Sequence, residues 1–233
     1  MPDSSSDPQS PQIGTLAERS LHAAIKEWYA QPGDRFEVPI DGYVADLVRD
    51  DLLIEIQTGN FSKIRTKLSR LLDDHPVRVL HPIASNRWIV YQRKNGQQLR
   101  RRKSPKHGRV LDLFHELVYI PGLLAHPNLS IEAVLIHEEE VREESDRWSW
   151  RRKGWKTCDR RLLEVREQAS FRSLEDFLRV IPETLPEPFT NRELATALNC
   201  NYNLAQKITY TLREAQALEV GGKRGNTLLY QKQ

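Results

Sequence analysis

Between Tyr43 and Gln57 the chain sets two carboxylates and an amide into what otherwise reads as a pair of buried strands. Leu52, Ile54 and Ile56 alternate with Leu53, Glu55 and Gln57, so a strand here turns Glu55 and Gln57 to one face and an apolar row to the other. A buried carboxylate costs free energy unless a cation, hydrogen-bond donors or a metal ion compensates it. Mg2+ takes one or two carboxylates and completes its shell with water and phosphate oxygens, and Asp46 on the preceding strand is the natural second ligand to Glu55. The plainer alternative is a strand carboxylate paired with an arginine or lysine.

The flanking residues predict a mixed α/β unit. Thr15 and Glu18 have capping-box spacing, and Leu21, Ala24, Ile25 and Trp28 continue with helical period to a stop at Gln31, Pro32 and Gly33. Residues 35–40, 43–49 and 52–58 read as strands, with Asp41-Gly42 as a tight hairpin turn. Ser62 is the expected cap of a second helix with the apolar stripe Ile64, Leu68, Leu71 and Leu72, and residues 77–82 and 87–94 supply two further strands. Strand, helix, strand requires a crossover, hence a mixed central sheet flanked by helices.

A helix with Glu18, a strand with Asp46, a strand with Glu55 and Gln57, then an amphipathic helix, resembles the PD-(D/E)xK nuclease superfamily, whose fold is restriction-endonuclease-like. The resemblance covers about the first hundred residues, and it implies Mg2+-dependent (or Mn2+-dependent) phosphodiester hydrolysis with Asp46, Glu55 and Glu18 as metal ligands. Gln57 stands where the superfamily usually has lysine. It can orient a water but supplies no positive charge, so Lys67 on the second helix is the expected substitute and Lys63 an alternative phosphate contact.

Beyond this unit the chain changes character. Asn95-Gly96 is a strong hairpin signal, and its returning arm carries Arg100, Arg101, Arg102 and Lys103. A short helix over 110–119 and strands over 130–141 and 161–165 frame an arm holding Trp148, Trp150, Arg151, Arg152, Lys153 and Trp155. Indoles stack on bases while cations meet phosphates, so these runs point to nucleic acid; their alternative is a solvated surface.

The last sixty-odd residues show helical signals at 174–181, at 191–198 behind the Thr190/Glu193 box, and from Asn201 to Leu212, then two strands around the glycine-rich stretch 221–225. Three helices and a basic hairpin look like a winged helix-turn-helix. That resemblance implies base-edge contacts from Tyr202, Asn203, Gln206 and Lys207 and phosphate contacts from Lys223 and Arg224. Protein docking is the rival use of such a unit.

The expected domains are a tail over 1–12, a nuclease-like unit over 13–109, a β-arm extension over 110–170 and a winged helix over 171–233. Two distant cysteines, Cys158 and Cys200, encode neither a zinc site nor a disulfide framework. With no long apolar run and no signal-like N-terminus, a cytoplasmic protein without membrane contact is expected. No phosphate-cradling glycine loop or dinucleotide fingerprint appears, which sets aside nucleotide-driven chemistry. The partner expected is nucleic acid, DNA before RNA, and the same plan accommodates a homodimer. The alternative function is a non-enzymatic DNA-binding or regulatory protein on a degenerate nuclease fold.

Overall fold

Asp41 and Gly42 both have positive φ, 50° and 79°, the backbone a two-residue type I′ turn demands, and they reverse the chain between β1 (Arg35–Ile40) and β2 (Tyr43–Arg49). A second reversal at Asp50, also at positive φ, leads into β3 (Leu52–Ile56). The computed structural model describes residues 13–145 and 154–233, with the side chains of 13–19 excepted. The tail over 1–12 and the residues Trp148, Trp150, Arg151, Arg152 and Lys153 lie outside the described part, as does the side chain of Glu18.

After β3 the chain crosses over through α2 (Arg65–Leu71) into β4 (Val77–Gln92), which runs parallel to β3. β5 (Gln98–Lys103) folds back antiparallel on the second half of β4. A short helix, α3 (Phe114–Leu117), leads to β6 (Leu129–Glu144), parallel to β4 on its other side, and β7 (Trp155–Phe171) closes the far edge antiparallel. The result is one seven-stranded mixed sheet of order β1-β2-β3-β4-β6-β7, with β5 alongside β4.

Five sequence expectations change, four of them in the sheet and its first two helices. The strands expected over 77–82 and 87–94 are one strand. Ser85 and Asn86 read as a loop but sit at a register shift inside β4, where the Ser85 hydroxyl reaches the Ile136 carbonyl at 3.0 Å and the Asn86 amide reaches His137 at 2.7 Å. The boundary expected at 109 falls inside the sheet, because β6 and β7 belong to the same ladder as β1 to β5. The first helix, α1 (Ile13–Tyr29), starts early enough that Thr15 lies within it and does not cap it. Ser62 sits in a 3-10 turn over 61–63, and α2 begins behind Ile64 without a side-chain cap.

Alternation along the strands splits the apolar residues between two faces. Leu47, Ile54, Ile56, Leu80, Val134 and Ile136 pack with Leu21 and Ile25 of α1. Leu53, Val77, Val79, Ile131 and Ala133 face α2 and α3, and this second core runs without a break into the C-terminal elements. Those elements are α4 (Leu174–Leu178), α5 (Asn191–Ala197), α6 (Tyr202–Glu214) and a hairpin of β8 (Leu218–Arg224) and β9 (Thr227–Lys232).

The caps of α5 and α6 are present. Thr190 accepts the Glu193 amide while Glu193 returns to Thr190, and the Asn201 side chain accepts the Leu204 amide at 2.9 Å. The glycine-rich stretch is not the turn expected of it. Gly221 to Arg224 belong to β8, and the reversal falls at Gly225, at φ 62°. No helix of the described residues is long and apolar enough to cross a membrane.

Candidate active site

The β2–β3 register pairs Leu47 with Ile54, and one step further it brings Asp46 opposite Glu55. The ladder stops there because Asp46 replaces it: its Oδ2 accepts the Ile56 amide at 2.8 Å, the place of a strand carbonyl. The same oxygen meets His22 Nε2 of α1 at 3.1 Å. Burial raises the Asp46 pKa, but the His22 bond, the Ile56 amide and the nearby Lys67 charge outweigh it, and the net shift is downward.

Glu55 is 5% exposed. Its Oε2 accepts Lys67 Nζ at 2.5 Å, and Lys67 also donates to the Val44 carbonyl at 2.6 Å, which ties α2 across both strands. Its Oε1 is buried and makes no well-formed hydrogen bond, while the Asp46 backbone amide lies close enough to the carboxylate to favour its ionised form. Burial pushes the Glu55 carboxyl up to about 7 against the opposing pull of Lys67, while the Asp46 charge adds to the rise. Asp46 thus stays ionised where Glu55 titrates near neutrality, the separation that acid–base chemistry requires of neighbouring carboxylates.

Gln57 points elsewhere. Its amide nitrogen donates to the Gly59 and Asn60 carbonyls and holds the 58–60 turn, and its backbone carbonyl accepts His81 Nδ1 at 2.7 Å. The nitrogen expected beside a reacting water is committed to that turn, and Lys67 supplies the positive charge. Glu18 stands on α1 one helical turn before His22, at the i,i+4 spacing that shares a face. His22 itself was not singled out in the sequence. Its spacing from Glu18 was the available signal, but a lone helical histidine carries little information until the fold sets it against Asp46.

Among the described residues, no three histidine, cysteine, aspartate or glutamate side chains gather as a cation-binding group. Asp46 and Glu55 nevertheless suit a hard divalent ion. They are two carboxylates on facing strands, and the buried Glu55 Oε1 has no well-formed hydrogen bond and so has room for a cation.

Arg100, Arg101, Arg102 and Lys103 are all exposed along β5. Arg100 lies over the Tyr91 ring at 4.1 Å, Arg101 and Lys103 over Trp88 at 5.2 and 5.5 Å, and Arg101 pairs with Glu139 at 2.8 Å. Trp155, expected as a stacking surface, is half-buried edge-on against Tyr91 at 4.8 Å. On α6, Tyr202, Asn203, Gln206 and Tyr210 are exposed and Lys207 is half-buried. Lys223 is exposed on the hairpin, while Arg224 pairs with Glu193 at 2.7 Å. That guanidinium, with the Thr190 donors, brings the Glu193 carboxyl down to about 2.

The chain belongs to the family described as Domain of unknown function (DUF8091), which it matches over residues 19–172, from α1 to the end of β7. It is also similar to an uncharacterized protein of Treponema pallidum (strain Nichols), 32% identical over 225 residues, 95% of this chain and 88% of the relative. That similarity therefore extends through the C-terminal helices. No solved structure matches.

Proposed function

We propose that the protein hydrolyses phosphodiester bonds in nucleic acid, DNA foremost, at a site built from Asp46, Glu55 and Lys67 on a PD-(D/E)xK-like sheet. The observation that carries this reading is Glu55: a buried carboxylate with one oxygen on Lys67, the other without a well-formed hydrogen bond, and Asp46 facing it from the next strand. A divalent ion held by Asp46 and Glu55 would lower the pKa of a bound water and neutralise phosphate charge. Lys67 sets a positive charge beside the site, the role that lysine at position 57 would have filled. His22 holds Asp46 in place from α1, and the Ile56 amide keeps its carboxylate ionised. α6 and the β8–β9 hairpin, read as a winged helix, would position the duplex through Tyr202, Asn203, Gln206, Lys207, Lys223 and Arg224.

The test is nicking of supercoiled plasmid, with single-stranded DNA and RNA in parallel, in Mg2+, Mn2+ or chelator. Metal-dependent nicking by the intact chain, lost in Glu55→Gln and Asp46→Asn while DNA binding persists, is the expected result. Full activity in both variants would refute the assignment. A second reading, DNA binding without turnover, is favoured by Gln57, whose amide is committed to a turn. Tight, salt-sensitive binding with no cleavage under any metal would select it.

A further inference from the structure

β3 pairs with residues 77–80 of β4 and β5 with residues 88–92, so 81–87 have no strand beside them on that flank. His107 and Gly108 close part of the gap through the Ser85 and Ala84 carbonyls at 3.1 and 2.9 Å. A Cβ at Gly108 would stand 2.6 Å from the Ala84 oxygen, so this close approach depends on glycine. What remains is a groove of about 620 Å³ beyond the carboxyl end of β3. Open sheets with parallel strands place ligands at such ends, where strand neighbours change.

Its wall includes Thr58, three residues and hence at most about 10 Å past Glu55, and Asn201, the cap of α6. Arg87, Lys106 and Arg160 also line it. Two of them are held from behind. Glu138 is fully buried and accepts from Arg87 Nε on one side and from Arg160 Nη2, at 2.6 Å, on the other. Arg87 spends Nη1 on Glu140 and Arg160 spends Nε on Glu138, so Nη2 of Arg87 and Nη1 of Arg160 take no part in these bonds. A guanidinium carries five N–H donors in a fixed fork, and pinning it by two of them aims the others. Lys106 is exposed and has no acidic partner among the described residues. The two acidic groups on the wall are engaged with backbone: Asp112 accepts the Arg109 amide and Glu116 the Phe61 amide, both at 2.9 Å.

We propose that this groove holds the phosphate backbone of a nucleic-acid strand, with Arg87, Arg160 and Lys106 meeting its phosphates. The proposal rests on the phosphodiester reading of the Glu55 site for the identity of the polymer. Preorganised guanidiniums suit phosphate oxygens, and three cations around one groove of about 620 Å³ suit successive phosphates of a polymer rather than a single small anion.

The test is fluorescence anisotropy of the full chain with a single-stranded oligonucleotide in chelator across a salt series. Lys106→Ala and Arg160→Gln should each flatten the dependence of log K on log salt by about 0.7, the contribution of one neutralised phosphate on a single strand. Thermal melting checks that Arg160→Gln is folded, and Lys106→Glu, at an exposed position, provides the independent variant that should weaken binding further. Unchanged slopes in folded Lys106 and Arg160 variants, or no oligonucleotide binding by the intact chain, would overturn the groove. Flattened slopes from a chain that never cleaves would keep the groove and retire the hydrolase. Cleavage with slopes indifferent to both residues would do the reverse.

Discussion

Glu55 holds a proton more tightly in the folded chain than a free glutamate does, about 7 against 4.5. The stability this proton linkage contributes is therefore present at low pH and is lost as pH rises through the window from about 4.5 to 7, by up to about 3 kcal/mol. Glu55→Gln removes the titration, so its melting temperature should gain on the intact chain between pH 5 and pH 8; a constant difference would refute the assignment. The same pair of proteins tests the metal without any assay of cleavage. At pH 8, Mg2+ should raise the melting temperature of the intact chain and leave that of Glu55→Gln in place, because a ligand of the folded state stabilises by mass action. Lys67→Met should drive the Glu55 carboxyl higher still, since Lys67 is the cation that opposes its burial, and if the site hydrolyses nucleic acid it should abolish that cleavage. Gln57→Ala should mainly loosen the 58–60 turn, at a cost of about 1 kcal/mol for its lost bonds.

The C-terminal helices and hairpin are joined by charge as well as by apolar packing. Glu193 caps α5 and also receives Arg224 from β8, so that arginine is already half-spent on the protein, whereas Lys223 is not. If the hairpin meets duplex phosphates, Lys223→Ala should flatten the salt dependence of DNA binding by about 0.9 and Arg224→Ala by less. Equal effects would mean that the Arg224–Glu193 pair opens on binding. Thr190→Ala should cost about 1 kcal/mol through loss of the cap, read by chemical denaturation.

The sheet and the C-terminal elements share one core. Phe114, Leu117 and Ile120 from the middle of the chain pack in the same cluster as Leu204, Ile208 and Leu212 of α6. Cutting at 172, where the family match ends, would bare both sides of that contact. Residues 13–172 and 171–233 expressed separately should aggregate or lose sharp melting transitions, and co-expression should restore a soluble pair by size exclusion. A sharply melting, monomeric 171–233 fragment would show that the C-terminal elements fold alone.

Local chemistry was legible wherever the deciding forces are local. The Asp41-Gly42 turn, the Thr190 and Asn201 caps, and the alternation that sends Glu55 to one face all follow from neighbours a few residues apart. Long-range pairing was not legible. β6 and β7 read as a charged arm because their acidic and basic residues compensate one another only across strands, as Glu138 does between Arg87 and Arg160. Nothing near residue 109 in sequence announces that β6 returns to lie parallel to β4, since that contact is set by apolar faces far apart along the chain. His22 meets Asp46 across an interface, and such a partner depends on how the elements pack, which spacing along one element does not encode. Gln57 turns instead to carbonyls two and three residues on, because β3 ends at Ile56 and the chain bends there.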